Sequence, residues 1–246
     1  ALSNTGGGTW STSNTAIATA GTSTGIITGV AAGTATITYK LGTGCIITSV
    51  LTVNPLPAAI TGTTHVCMGL TTALSSATPG GTWSTSGTLT ATVGSSSGIV
   101  TGIIAGVVPI TYTLTSTGCI TVTPVTVNFL PTAISGTLTV CAGATTTLSN
   151  TGGGGTWSSG STAIATVGSG SGIVGGVSAG TSIITYTLST GCIATAVVTV
   201  FPLPTAIIGA SGVCAGLTTT MSNATPGGSW LSSAPAIAGI DPVTGV

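Results

Sequence analysis

Gly80-Gly81-Thr82-Trp83-Ser84-Thr85-Ser86 is one of four near-copies of a single phrase; the others centre on Trp10, Trp157 and Trp230, at intervals of 73, 74 and 73 residues. A fixed period of that length marks an array of one small folding unit, so function belongs to the array rather than to a unique site. Outward from Trp83 lie Val66-Cys67, Gly98-Ile99-Val100-Thr101-Gly102, Ile110-Thr111-Tyr112-Thr113-Leu114, Gly118-Cys119 and Val125-Thr126-Val127, and the third copy repeats them through Cys141, Trp157, Tyr186 and Cys192. The copies fall at 1–53, 54–127, 128–201 and 202–246. The first and last are partial: Ala1 is equivalent to Ala73 and Val246 to Ile103, so the first lacks its opening strand and the last its C-terminal half. The sequence reads as a window on a longer polymer.

Within Ile110-Thr111-Tyr112-Thr113-Leu114 apolar residues alternate with Thr, the period of a strand with one buried face. In the equivalent Ile37-Thr38-Tyr39-Lys40-Leu41 the single Lys falls on the Thr face, where a solvent-facing residue belongs. Thr, Val and Ile dominate such runs, and their branched Cβ atoms suit a pleated surface. Gly-Gly, Thr-Gly and Pro-Gly-Gly clusters punctuate them. Six or seven short strands in a unit of this size predict an all-β two-layer sandwich. Trp10, Trp83, Trp157 and Trp230, with Tyr39, Tyr112 and Tyr186, are its expected core aromatics.

Ser and Thr occupy 83 of 246 positions and Gly another 40, while Lys40 and Asp241 carry the only formal charges. Low charge with abundant Gly favours disorder, but 42% apolar residues in alternating runs suffice for a core. No segment supplies the roughly 18 uninterrupted apolar residues of a membrane helix. One Lys furnishes no phosphate-neutralising surface, so nucleic acid is excluded as a partner.

Catalytic signatures occur as decoys. Gly21-Thr22-Ser23-Thr24-Gly25 and Gly94-Ser95-Ser96-Ser97-Gly98 match Gly-x-Ser-x-Gly, yet a nucleophile elbow needs a strand-to-helix turn, a His and an acid. His65 is the one His, with no repeated counterpart, and reads as a surface or strand-end residue. Gly170-Ser171-Gly172-Ile173-Val174-Gly175 matches the dinucleotide fingerprint, but in a turn between strands with no helix to receive phosphate. No catalytic, cofactor or metal site is expected, and the chain reads as a non-enzyme.

Cys67 and Cys119 stand 52 residues apart, Cys141 and Cys192 51 apart, at equivalent positions. Each pair is expected to form a disulfide within its repeat, because a domain this small buries only about 60% of its unfolded surface and closing such a loop contributes roughly 4 kcal/mol in the chain-entropy model. Reduced buried thiols and a zinc site are the alternatives, the latter without a Cys-x-x-Cys or His cluster to support it. Cys45 and Cys214 have no mate in the partial copies. Disulfides would place the chain in an oxidising compartment, outside the cell.

The order Cys67, Trp83, Cys119 resembles that of immunoglobulin domains, in which a Trp lies against the inter-sheet disulfide. Thr82-Trp83-Ser84, Ala163-Ile164-Ala165-Thr166-Val167, Gly98-Ile99-Val100-Thr101-Gly102 and Ala32-Gly33-Thr34-Ala35-Thr36-Ile37 resemble the bacterial Ig-like group 2 repeats of large surface proteins and invasin/intimin-type adhesins. The resemblance covers the whole chain. It implies tandem immunoglobulin-like β-sandwich repeats of about 73 residues and an extracellular structural role as stalk, spacer or adhesive array. A Cys pair in each repeat and the near-absence of acids depart from that pattern, and the latter argues against calcium-rigidified linkers.

Asn54-Pro55-Leu56-Pro57, Asn128-Phe129-Leu130-Pro131 and Phe201-Pro202-Leu203-Pro204 join the copies with little slack, and Pro biases them to extended conformations. A Thr/Ser/Gly surface of zero formal charge has nothing to repel a neighbour. These features predict units strung end to end that associate with themselves into an extracellular fibre or stalk, with O-linked glycan on exposed Ser and Thr as a possible coat. An adhesin array that binds glycan or protein ligands is the alternative. Asn223-Ala224-Thr225 is the one N-glycosylation sequon and is not a repeat feature.

Overall fold

The computed structural model describes residues 7–246, so the first six positions of the 1–53 copy lie outside the described residues. The chain is all-β and builds tandem immunoglobulin-like sandwiches. Two compact units, Ala1–Leu130 and Pro131–Val246, divide it.

The first unit opens with β1 (Thr9–Thr12), β2 (Ala18–Ala20), β3 (Ile27–Gly29), β4 (Gly33–Lys40) and β5 (Ile46–Val53). They pair as a β1-β4-β5 sheet and a β2-β3 hairpin. Next come β6 (Ile60–Gly62), β7 (His65–Cys67), β8 (Thr71–Ser76), β9 (Gly81–Thr85), β10 (Ala91–Val93), β11 (Ile99–Gly102), β12 (Gly106–Leu114) and β13 (Ile120–Asn128). These eight form two four-stranded sheets, ordered β10-β11-β8-β6 and β7-β13-β12-β9.

Alternation explains the layers. In β12, Val108, Ile110, Tyr112 and Leu114 are buried, and in β13 Val125 and Val127 are buried, while the residues between them face out. Leu74, Ala91 and Val100 of the other sheet close the same core, together with Val66 and Trp83. The opening strand is split between the sheets: β6 pairs antiparallel with β8, whereas β7 runs parallel to β13. Gly62 makes the switch with φ +118°, where a Cβ would come within 2.4 Å of Ala73 O, so no other residue fits.

The second unit repeats this plan as β14 (Ser135–Gly136), β15 (Thr139–Cys141), β16 (Thr145–Ser149), β17 (Thr156–Ser159), β18 (Ala165–Val167), β19 (Ile173–Gly176), β20 (Gly180–Thr187) and β21 (Ile193–Phe201). The sheets are β14-β16-β19-β18 and β15-β21-β20-β17, with β15 again parallel to β21. Residues 202–246 follow with one isolated bridge, Ile208 to Ser222. They contain no counterpart of β12 or β13, and Leu231 is 92% exposed at the position of the outward-facing Ser84 and Ser158. In the first copy Ile47, across from the buried Tyr39, is exposed as well.

Candidate functional site

Each complete repeat is organised around an aromatic clamp near the end at which the chain arrives. Trp83 on β9 and Tyr112 on β12 face each other in register, ring centroids 4.7 Å apart and tilted by 51°. Such tilted pairs contribute about 0.5–1.5 kcal/mol beyond their buried area. The Tyr112 Oη donates to Thr78 O at 2.7 Å and accepts from Gly81 N–H at 2.9 Å, satisfying the polar tip of a buried ring. Gly98, at φ +68°, lets the β10–β11 turn lie on the indole, since a Cβ there would meet Trp83 Cε2 at 2.9 Å. Trp157–Tyr186 and Trp10–Tyr39 repeat the pair at 4.7 Å, and Gly155 and Gly8 donate to the respective hydroxyls.

Trp83 and Trp157 are buried, but Trp10 and Trp230 are only half-buried. Partial cover in the first copy, and the lack of a tyrosine counterpart in 202–246, account for the difference.

The two ends of a repeat can be told apart within each unit. At the leading end of β6–β13, Ala58 N–H donates to Thr78 Oγ1 at 2.8 Å, and Thr115 Oγ1 donates to Gly80 O at 2.7 Å. Cys119 closes the hairpin there, its carbonyl accepting from Leu114 N–H at 2.9 Å. In the second unit Thr132 lies against Asn150 and Thr151 at the corresponding end, and Cys192 accepts from Leu188 N–H at 2.9 Å. At the trailing end the chain leaves: Cys67 stands across from Asn128, and Cys141 across from Phe201.

That geometry overturns the expected pairing within repeats. Cys119 precedes Ile120, the first residue of β13, while Cys67 sits beside its last, Asn128. Nine residues of strand at about 3.3 Å each set them about 30 Å apart, whereas a disulfide tolerates a Cα separation of no more than about 7 Å. Cys141 and Cys192 are divided by the length of β21 in the same way. Cys119 and Cys141 are free thiols, as are Cys45 and Cys214, while Cys67 and Cys192 are disulfide-bonded. Tyr112 and Tyr186, rather than a cystine, lie against the tryptophans.

The decoy motifs fall in hairpin turns. Gly94–Gly98 joins β10 to β11, held by Gly94 N–H to Ile99 O and Gly98 N–H to Gly94 O. Gly168–Gly172 does the same between β18 and β19. Exposed His65 lies on β7 beside Thr126. Among the described residues no three His, Cys, Asp or Glu side chains come together, and no helix is long and apolar enough to cross a membrane. Asn223 is a turn pin: its Oδ1 accepts from Thr225 N–H at 2.8 Å and its amide donates to Thr205 O, as Asn150 does with Gly152 and Thr132. Asp241 caps the last turn, and the Thr244 N–H, the Thr244 hydroxyl and the Val243 N–H hold its carboxyl below the usual carboxylate range.

No protein-family model matches the chain, and no curated protein sequence matches it. Solved structures do. Invasin, a bacterial integrin-binding protein, is 18% identical, with 79% of this chain aligned to 52% of it at a TM-score of 0.39. The C-terminal 282-residue fragment of intimin, solved with the intimin-binding domain of its translocated receptor, is 16% identical over 72% of this chain and 59% of its own, at a TM-score of 0.31. Domains 1–6 of the surface layer protein SbsC are 17% identical over 85% of this chain and 37% of theirs, at a TM-score of 0.29. The chain thus spans between about a third and three-fifths of the lengths of these proteins.

Proposed function

We propose that this chain is a non-enzymatic structural repeat segment of an extracellular bacterial fibre or surface stalk, whose copies associate with one another. The observation that carries the reading is the outer face of the sheet that holds β12 and β13, or β20 and β21, which carries no Lys, Arg, Asp or Glu in either complete repeat. On β12–β13, Val107 lies beside Thr126, Thr111 beside Val122 and Thr113 beside Ile120. On β20–β21, Ile183 lies beside Val197, Thr185 beside Thr195 and Thr187 beside Ile193. Val107 is 66% exposed, and Val122, Ile183 and Val197 are each at least half exposed. On β4–β5 the pattern recurs with Thr36 beside Val50, and Lys40 beside Ile46 supplies its one charge.

Such faces carry none of the charge by which soluble proteins repel their neighbours. The same face recurring at a fixed period lets contacts add along an array, as charge steering cannot in a chain this neutral. Sedimentation velocity and negative-stain imaging of the reduced chain test the reading. Assemblies that grow with concentration and persist in molar salt are expected, and Val107→Lys with Val122→Lys should diminish them. A chain that stays monomeric at every concentration, or whose assemblies dissolve in salt, rules the reading out.

A further inference from the structure

We propose that the leading end of the second unit is a binding site for a single neutral sugar ring, with the Tyr186 hydroxyl as a hydrogen-bond donor to it. The site goes beyond the self-association proposed above and does not rest on it.

The two complete repeats differ at the loop before the tryptophan strand. In the first unit Ser76-Ala77-Thr78-Pro79-Gly80-Gly81 folds onto Tyr112, whose hydroxyl donates its proton to Thr78 O at 2.7 Å. Thr115 fastens the same loop, donating to Gly80 O through both its N–H and its hydroxyl. In the second unit the loop reads Asn150-Thr151-Gly152-Gly153-Gly154-Gly155. Gly153 and Gly154 are both left-handed, at φ +60° and +70°, a course closed to Pro. Among the described residues nothing joins Ser189, the equivalent of Thr115, to this loop, and no carbonyl meets the Tyr186 proton.

A buried phenol is thus left with an unused proton beside a cavity. Tyr186 is 4% exposed, and its Oη accepts from Gly155 N–H at 2.8 Å but donates to no described residue. A cavity of about 260 Å³ opens there, lined by Leu148, Asn150, Gly154, Trp157, Ser171 and Tyr186 among others. The Trp157 indole N–H has no acceptor among the described residues, and Ser171 Oγ, which accepts from Ile173 N–H at 3.3 Å, keeps its proton to donate. Buried donors are unfavourable without acceptors, so the site calls for oxygen atoms.

No Lys, Arg, His, Asp or Glu lines the cavity, and an ion entering it would lose hydration with no counter-charge to replace it. Neutral donors beside an indole and a leucine fit a ligand that carries hydroxyl oxygens along one edge and C–H groups on its faces, which is the form of a sugar ring. The volume lies below the roughly 300–1,000 Å³ of sites that enclose larger ligands, which limits the occupant to one ring. The two loop types alternate along the sequence: Asn4-Thr5-Gly6-Gly7-Gly8 is the glycine type, one residue shorter, and Ala224-Thr225-Pro226-Gly227-Gly228 is the proline type.

The experiment labels the full chain with 5-fluorotryptophan, which gives one fluorine resonance for each of the four tryptophans. The dilute chain is titrated with the methyl glycosides of glucose, galactose, mannose and N-acetylglucosamine, and with glucuronate and glucose 6-phosphate. At least one neutral glycoside should shift the Trp157 resonance saturably, with a dissociation constant on the order of 1–10 mM, and leave Trp83 in place. Tyr186→Phe should weaken binding roughly 2- to 12-fold, while Tyr112→Phe, which loses the same bond to the loop, should leave it unchanged. Gly152→Thr with Gly153→Pro should silence Trp157, and Thr78→Gly with Pro79→Gly should make Trp83 respond. No shift at Trp157 with any neutral glycoside, equal shifts at Trp83 and Trp157, or tighter binding of the charged sugars overturns the proposal. Sedimentation of the same samples reads self-association separately, so either idea can fail alone.

Discussion

The two complete repeats fill one volume with different chemistry. In the first unit Val108 is buried against Gly87, where a Cβ would come within 2.5 Å of Val108 Cγ2. In the second unit the equivalent positions hold Ser182 and Ser161. Ser182 is 3% exposed, its Oγ lies 2.9 Å from Ser159 Oγ and accepts from Ser161 N–H at 3.1 Å, and Ser159 Oγ donates to Ala165 O at 2.6 Å. A larger apolar residue beside glycine has been exchanged for two small polar ones, and the hydroxyl of the buried Ser182 is partnered. The sandwich thus accepts a polar plug in its core as long as volume is conserved and no hydroxyl is orphaned.

Variants can break that equivalence or sharpen it. Trp83→Ala and Trp157→Ala should be the most damaging, each removing about 3–5 kcal/mol of stability from its own repeat. Hydrogen exchange resolved by repeat reads this, and losses that differ widely between the two would show that the aromatic clamp is not the shared element. Ser182→Val alone should overpack against Ser161 and remove about 1–3 kcal/mol. Adding Ser161→Gly should recover most of it, and a double-mutant coupling near zero would disprove the paired-volume account. Tyr112→Phe and Tyr186→Phe should each cost about 1 kcal/mol by leaving the Gly81 or Gly155 N–H without its acceptor.

The smallest effect is expected from pH. Asp241 has a depressed carboxyl, so its contribution is present above the ordinary carboxylate pKa and is lost as pH falls through the lower folded value. Only amides of residues 241–246 should shift in that acid range. A global transition above it would contradict a fold held almost entirely by uncharged groups.

Much of this was legible in the sequence. The Trp period and the Ile-Thr-Tyr alternation locate the layers, and the Lys40 side chain is exposed on the face where alternation puts it. The cysteine spacing misleads because separation along a chain carries no direction. Positions 67 and 119 look like mates until β7 is seen to run parallel to β13, which sends them to opposite ends. A signal was available: Val66 must face inward to join Val127 in the core, so the adjacent Cys67 has to face outward and cannot be a core cystine of immunoglobulin type. The Ser182 plug was hidden for another reason, since Ser at an inward position of β20 gains its meaning only from Ser159 and Ser161 across the sheet.

The parallel pairing of β7 with β13, and of β15 with β21, governs how each sandwich bears load. The second half of the split opening strand and the strand that ends the repeat are hydrogen-bonded side by side and point the same way. Tension applied to the two termini of such a repeat pulls these neighbours in opposite directions along their length, so every rung between them is strained together instead of opening one after another. A repeat built this way resists extension by shear between the second half of its opening strand and its last strand, through the few peptide groups of His65–Cys67 and Thr139–Cys141.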